Sequence, residues 1–108
     1  MARGGKPKRP KKHENVLLLV RTAFANGKYR DTRHASERKE QRQISLLEIR
    51  QVVERGYHEP AKDEFKEEWQ AWNYAIRGKT LDHRELRIAV SFDEEGYLLI
   101  ITSIALGI

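Results

Sequence analysis

Three basic side chains recur at intervals of four residues in the first half of the sequence. His34, Arg38 and Arg42 are spaced so that, on an α-helix, each lies one turn beyond the last on nearly the same face. Histidine exchanges a proton near neutral pH, and arginine presents a planar fork that matches phosphate oxygens. This basic row therefore suits the binding of a phosphodiester with proton transfer beside it.

A metal-independent endoribonuclease is the sharpest function that this chemistry suggests. Such an enzyme needs a base for the ribose 2′-hydroxyl, an acid for the leaving oxygen and fixed positive charge around the phosphorus. We expect His34, together with Arg77 or Lys79, to supply these groups if the polar helix lies beside the end of the strand that contains Arg77. The reaction requires no cofactor.

Less demanding interpretations of the basic row stay open. Asp31 and Glu37 can neutralise its charges, which would make the row a solvated helix face. The row can also belong to a noncatalytic module that binds nucleic acid or protein. In a third interpretation His34 is an interior residue that stabilises the fold through hydrogen bonds.

A metal site is a weaker alternative. The adjacent pairs His58–Glu59 and Asp82–His83 lie on predicted loops and lack the i, i+4 spacing of zinc proteases. The sequence contains no cysteine, which excludes disulfides and thiolate zinc sites. We therefore expect no metal at the site.

Charge and length divide the chain into two parts. Its 108 residues suit one domain, and the net charge is +5. Residues 1–13 hold six basic residues and no acid, whereas the remainder holds 15 basic and 16 acidic residues. We predict a disordered basic arm over residues 1–13, able to add salt-sensitive affinity for a phosphate backbone, and a single domain over residues 14–108.

No segment of the sequence is typical of membrane insertion or secretion. The apolar run Val16–Val20 is far shorter than the roughly 20 residues of a membrane helix, and the N-terminus lacks the apolar stretch of a signal peptide. Cytoplasmic residence is the default expectation.

Three helices are predicted before any strand. The first has a cap at Glu14 or Asn15 and stops at Asn26–Gly27; the second, which is almost wholly polar, is capped by Thr32. The third begins with the capping box Ser45–Glu48 and stops at Gly56. The first predicted helix runs from Val16 through Phe24, the second from its cap at Thr32 to Ile44, and the third from Leu46 to the stop at Gly56.

The rest of the sequence predicts a sheet. Residues 59–68 are predicted to form an exposed acidic loop that faces a basic surface, and Trp69 and Trp72 are interpreted as structural. Strands are predicted over Trp72–Arg77, Leu86–Phe92 and Tyr97–Ser103 in an antiparallel meander with one polar face. The last strand lacks alternation, so it is either central or pairs with another protein. The fold class predicted is α+β, with about three N-terminal helices packed on a three- to four-stranded antiparallel sheet.

Residues 32–45, TRHASERKEQRQIS, fit the pattern Ser/Thr-x-His-Ala-x-x-Arg-x-x-x-Arg-x-Ile-Ser/Thr. In this segment, in the strand from Trp72 to Lys79 and at the closing residues Ile100–Thr102, the chain resembles the bacterial family named domain of unknown function 4258. The resemblance covers nearly everything after the arm. Members are similar to RelE-like toxins, which implies a ribonuclease toxin of RelE-like fold, an RNA substrate and an antitoxin-like protein partner. The resemblance assigns catalytic roles to His34, Arg38, Arg77 and Thr102 and substrate binding to Arg42 and Lys79, with Arg87 as a further candidate.

Overall fold

Residues 9–33 and 43–107 are described in the computed structural model of the chain. Within them, two α-helices pack on one face of a six-stranded sheet. The helices are α1 (Val16–Ala25) and α2 (Leu46–Arg55). The strands are β1 (Tyr29–Asp31), β2 (Tyr57–His58), β3 (Glu64–Lys66), β4 (Ala71–Lys79), β5 (Glu85–Phe92) and β6 (Leu98–Ala105), and a 3-10 turn, Pro60–Lys62, joins β2 to β3.

The first predicted helix is confirmed as α1. Val16, Val20, Ala23 and Phe24 are buried at the i, i+4, i+7 and i+8 spacing of a single helix face. The helix ends at Asn26, after which Gly27 takes a left-handed backbone conformation with φ of 68°.

The predicted capping box is present at the start of α2. Ser45 Oγ accepts a hydrogen bond from Glu48 N at 3.1 Å, and Glu48 Oε1 accepts one from Ser45 N at 2.9 Å. Two amide groups that the helix itself cannot satisfy are thereby paired. The pKa of Glu48 is lowered: burial alone would raise it, but the bond from Ser45 and the nearby Arg84 outweigh burial.

Gly56 ends α2, as predicted, but for a different physical reason. Its φ of −96° is accessible to any residue, so no left-handed turn demands glycine there. A Cβ atom at Gly56 would instead clash with Arg77 O, and one at Gly78 would lie 2.8 Å from the Cα of Gly56. The two glycines allow α2 to approach β4 closely.

The sheet extends beyond the predicted meander. β4, β5 and β6 form the antiparallel meander that the sequence indicates. β1 lies parallel to β6 on one side, and β2 and β3 both pair antiparallel with β4 on the other, so the strand order is β1-β6-β5-β4-β2. β6 is therefore a central strand, which accounts for its apolar sequence.

The predicted fold class, about three N-terminal helices on a three- to four-stranded antiparallel sheet, is wrong. Among the described residues only α1 precedes the first strand, and the sheet has six strands in mixed orientation. The three additional strands are two or three residues long, too short to show periodicity, and they form because distant strands offer backbone partners. Most of the second predicted helix, residues 34–42, lies outside the described residues.

The two faces of the sheet differ in character. One face packs against α1 and α2 and forms the core. The opposite face, here called the outer face, carries the alternate residues of the strands. Because of a bulge in β6, the cross-strand partner of Val90 is Ile100 while that of Ala89 is Thr102. The core-facing strand residues are Tyr74, Ile76, Leu86, Ile88, Val90, Leu98 and Ile100.

The described end of the predicted arm, residues 9–13, lies against the sheet. Pro10 O accepts a hydrogen bond from Trp72 Nε1 at 2.8 Å, and the hydroxyl of Tyr74 accepts one from His13 N at 2.9 Å. The sequence does not predict these contacts, because residues 9–13 attach through backbone groups and basic side chains and not through apolar residues. In the described ranges, no helix has the length and apolar character needed to cross a membrane.

Candidate functional site

Two arginines lie directly opposite one another on the outer face. Arg77 of β4 and Arg87 of β5 are cross-strand partners, a placement in which like charges repel. Glu59 offsets this repulsion because its carboxylate binds both groups: Oε2 lies 3.2 Å from Arg77 Nη1, and Oε1 lies 2.8 Å from Arg87 Nε. The guanidinium groups are thus held side by side by one carboxylate.

A second carboxylate completes this arginine pair. Glu85 Oε2 accepts a hydrogen bond from Arg77 Nε at 2.7 Å. The hydrogen bond from Arg87 lowers the pKa of Glu59, partial burial opposes that effect, and the bond from Arg77 adds to it. The bonds to Glu85 and then Glu59 raise the pKa of Arg77. Glu59 is therefore ionised and Arg77 protonated at neutral pH.

Glu59 is positioned by the way the chain leaves the edge of β4. Its amide donates to Ala75 O at 2.8 Å, after which the 3-10 turn carries the backbone away from the sheet. The next backbone donor of β4 is satisfied by a side chain instead: Asp63 Oδ1 accepts from Ala75 N at 2.9 Å. The backbone thus leaves β4 after β2 and pairs with it again at β3, and this path places the Glu59 carboxylate over the outer face.

Asp63 is also the acceptor for two basic side chains. Its carboxylate is 1% exposed, and Oδ2 lies 2.9 Å from His58 Nε2 and 2.7 Å from Lys12 Nζ. A buried carboxylate needs such donors. The predicted exposed loop at residues 59–68 is therefore wrong in part, while the expectation that its acids face basic groups is confirmed at Glu59 and Asp63.

Four of the seven predicted site residues share the outer face. Arg77 and Lys79 alternate along β4, Arg87 lies opposite Arg77, and Thr102 lies opposite Ala89 on β6. The structure thus brings Arg77 and Arg87 into one cluster with Lys79 and Thr102 on the same face. The other three predicted residues, His34, Arg38 and Arg42, lie outside the described residues.

Thr32 and Arg33, which precede the basic row, form hydrogen bonds with β6, and Arg33 also binds Ile44, which follows the row. Thr32 Oγ1 donates to Ile100 O at 2.7 Å. The guanidinium of Arg33 donates to Ile44 O at 2.8 Å and to Ser103 Oγ at 3.0 Å. Arg33 is buried and also binds Asp31, so it is a structural anchor of this region.

A cleft of about 740 Å³ opens beside the outer face at the end of β5. Leu99 and Ile101 contribute apolar lining, Trp69 lies at the cleft and is about half exposed, and acidic residues of the β5–β6 turn complete it. Trp72, in contrast, is partly buried against the core. The structural interpretation of the tryptophans therefore holds for Trp72, whereas Trp69 borders open space.

Glu59 and Glu85 are the site residues that the sequence analysis missed. The excess of acids in residues 59–68 was a signal that this segment meets basic groups, but the sequence does not say which acid meets which arginine. The adjacent pair His58–Glu59, the alternative metal site, is engaged in other contacts: His58 binds Asp63, and Glu59 binds the two arginines. In the described ranges no three side chains are grouped as metal ligands.

Comparison with known proteins gives one result. A family model with the description Domain of unknown function (DUF4258) matches residues 32–104, which is more than half of the chain and includes all seven predicted site residues. Neither the curated proteins nor the solved structures contain a match. The chain belongs to the family Domain of unknown function (DUF4258).

Proposed function

We propose that this protein is a metal-independent endoribonuclease and the toxin of a toxin–antitoxin pair. The observation that supports this most is the arginine pair, Arg77 and Arg87, held side by side on the outer face by Glu59. Two fixed guanidinium groups are suited to the charge that develops on a phosphoryl group during cleavage. Lys79 and Thr102 on the same face add an ammonium and a hydroxyl.

The carboxylates leave the arginine pair able to bind a phosphate. A guanidinium has five N–H groups, of which Arg77 uses those on Nε and Nη1 and Arg87 uses those on Nε and Nη2. Within the described residues, Nη2 of Arg77 and Nη1 of Arg87 have no protein partner. Glu59 and Glu85 therefore orient the arginines, and the remaining N–H groups are available to phosphate oxygens.

The proposed reaction uses the nucleophile that RNA itself carries. His34 takes the proton from a ribose 2′-hydroxyl, the 2′-oxygen forms a bond to phosphorus, and the bond from phosphorus to the 5′-oxygen breaks. Lys79 donates a proton to that leaving oxygen, while Arg77, with Arg38 and Thr102, stabilises the phosphorane. Arg42 and Arg87 bind the flanking phosphates. The products are a 2′,3′-cyclic phosphate and a free 5′-hydroxyl.

A partner that blocks this surface is part of the proposal. No α-helix among the described residues packs on the outer face. An antitoxin-like protein with acidic groups opposite the arginine pair would cover it and prevent access of RNA.

A noncatalytic nucleic-acid or protein-binding module is the second candidate. It is favoured by the pairing of both arginines with the carboxylates of Glu59 and Glu85. In that case the outer face binds its ligand and leaves it intact.

The experiment that separates the two candidates is cleavage and binding of a long structured RNA in excess chelator. Wild type should cleave it, and His34→Ala should bind it with unchanged affinity and show no cleavage. His83→Asn, which removes an exposed histidine from a left-handed turn position that asparagine tolerates, is the matched control and should cleave as wild type does. Binding by wild type without cleavage, across RNA types, would favour the second candidate.

A further inference from the structure

An exposed aromatic side chain, Tyr57, lies beside the arginine pair on the neighbouring strand β2. Tyr57 of β2 is the cross-strand partner of Arg77, which is in turn the partner of Arg87, so the three side chains form a row across β2, β4 and β5. Partners in an antiparallel pair project to the same face. Tyr57 is 52% exposed, which is high for an aromatic residue within a sheet.

A polar cleft lies next to this ring. It has a volume of about 330 Å³ and is lined by Arg55, Gly56, Tyr57, Gly78, Lys79 and Glu85. In the part of the chain that the structure describes, neither Arg55 nor Lys79 forms an ion pair, in contrast to Arg77 and Arg87. The two glycines contribute backbone atoms to its lining, where α2 approaches β4 closely.

The C-terminal end of α2, which lies at this cleft, does not repel an anion there. The carbonyl groups at a helix C-terminus carry partial negative charge. Arg21 neutralises them here, because its Nε donates to Val53 O at 2.9 Å and its Nη2 to Glu54 O at 3.1 Å. Arg55, in the last turn of the helix, adds a second positive charge.

We propose that Tyr57, Arg55 and Lys79 form a subsite for one nucleotide of single-stranded RNA. The base stacks on the Tyr57 ring, and its phosphate, the one whose leaving 5′-oxygen Lys79 protonates in the proposed reaction, binds Arg55 and Lys79. An exposed aromatic face beside unpaired cations is how proteins hold unstacked nucleotides, since stacking tolerates any base and the cations track the backbone. The inference rests on the proposed function and deepens it, because the subsite continues the row of the arginine pair.

The test is binding of two labelled RNAs to the full chain by fluorescence anisotropy. One is a short oligouridine with 2′-O-methyl groups, which cannot be cleaved through a 2′-hydroxyl, and the other is an RNA duplex. Tyr57→Ala should weaken binding of the oligouridine about tenfold, the effect of losing one base stack, and leave duplex binding unchanged. Tyr57→Phe, which keeps the ring, should bind as wild type does. Leu81→Ala, which truncates another exposed hydrophobic side chain that does not line the cleft, should have no effect.

The charged half of the subsite has its own matched pair of variants. Arg55→Ala should lower the slope of log affinity against log salt concentration by about 0.7, the value for one lost contact with a single strand. Arg50→Ala removes the same charge from the exposed side of the same helix and should leave the slope unchanged. Melting temperatures of all variants in the same buffer establish that each is folded.

The possible results separate this inference from the proposed function. If wild type binds oligouridine and both Tyr57→Ala and Arg55→Ala bind like their controls, the subsite is wrong and the proposed function stands. If wild type binds no single-stranded RNA, the subsite is wrong as well, and cleavage of long structured RNA then decides the proposed function independently.

Discussion

Asp63 receives hydrogen bonds from three separate parts of the chain. Its donors are the backbone of β4 at Ala75, the ring of His58 and the ammonium of Lys12. The Asp63 carboxylate therefore links the edge of β4, the chain next to Glu59 and the residues that precede α1. Its sequence context, an acidic segment of ten residues, gives no hint that this acid is buried while Glu64 beside it is exposed.

Asp63→Ala should therefore destabilise the protein by about 2 kcal/mol, because it leaves three partly buried donors without an acceptor. Urea unfolding measures this change in the free energy of unfolding. Glu64→Ala is the matched control: its ion pair with Lys66 is exposed, and its loss should cost under about 0.5 kcal/mol. Equal losses for the two variants would contradict the assigned role of Asp63.

Glu59 gives the arginine pair a defined dependence on pH. Because its folded-state pKa lies below the ordinary 4.5, its ionised form stabilises the fold above that pH, and the contribution is lost as the pH falls through the folded-state value. The melting temperature of wild type should exceed that of Glu59→Gln at neutral pH, and the gap should close in acid. A gap that stays constant with pH would show that Glu59 acts through shape and not charge.

Of the residues at the arginine pair, the arginines could be predicted from the sequence and their carboxylate partner could not. The family pattern and the polar alternation of β5 indicate Arg77 and Arg87, since both signals are local in sequence. Glu59 is 18 positions from Arg77 and 28 from Arg87, and no local pattern records such a contact. Tyr57 was not predicted as a site residue, because its strand is only two residues long and shows no period.

α2 and β4 approach one another through a pair of glycines. A side chain at Gly56 or Gly78 would meet backbone atoms, which cannot move aside as a flexible side chain can. The sequence indicates Gly56 only as a helix stop. Its packing role depends on Gly78, 22 residues later in the sequence. Sequence periodicity therefore predicts where the helix ends but not why glycine is required.

Gly56→Ala should consequently destabilise the protein by roughly 1–3 kcal/mol, the usual cost of overpacking. Thermal unfolding followed by circular dichroism measures the change. Gly27→Asn is a suitable control, because no atom lies within 4 Å of a Cβ at Gly27 and asparagine tolerates its left-handed backbone. If both substitutions are equally mild, the close approach of α2 to β4 is not a constraint on stability.

Longer elements were predicted well and short ones were missed. α1, α2 and the meander β4–β6 each contain enough residues to display a helical or strand period. β1, β2 and β3 contain two or three residues each and form only because β6 and β4 offer free edges. The error in fold class follows from this difference in length.

The chain as a whole separates its basic arm from a nearly neutral domain. Residues 1–8 hold Arg3, Lys6 and Lys8, while residues 9–13 contact the sheet through Pro10, Lys12 and His13. The two halves of the arm should therefore contribute differently: the first to salt-dependent affinity for RNA, the second to stability.

Deletion of residues 1–8 should leave the melting temperature unchanged and lower the salt slope of single-stranded RNA binding by about 2, the value for three phosphate contacts. Deletion of residues 1–13 should additionally lower the melting temperature, because Trp72 and Asp63 lose their partners. Anisotropy titrations at several salt concentrations, with melting curves of both truncations, measure these effects. An unchanged melting temperature in the longer deletion would show that the contacts of residues 9–13 add nothing to stability.

The most direct test of the account is the chemical identity of the RNA ends produced in excess chelator. Wild type is expected to generate fragments with 2′,3′-cyclic phosphate and 5′-hydroxyl ends, and His34→Ala is expected to generate none while keeping the wild-type melting temperature. Such ends arise only when the 2′-oxygen attacks the phosphorus. Fragments with 5′-phosphate ends, equal cleavage by both proteins, or no cleavage by either would contradict the proposed ribonuclease.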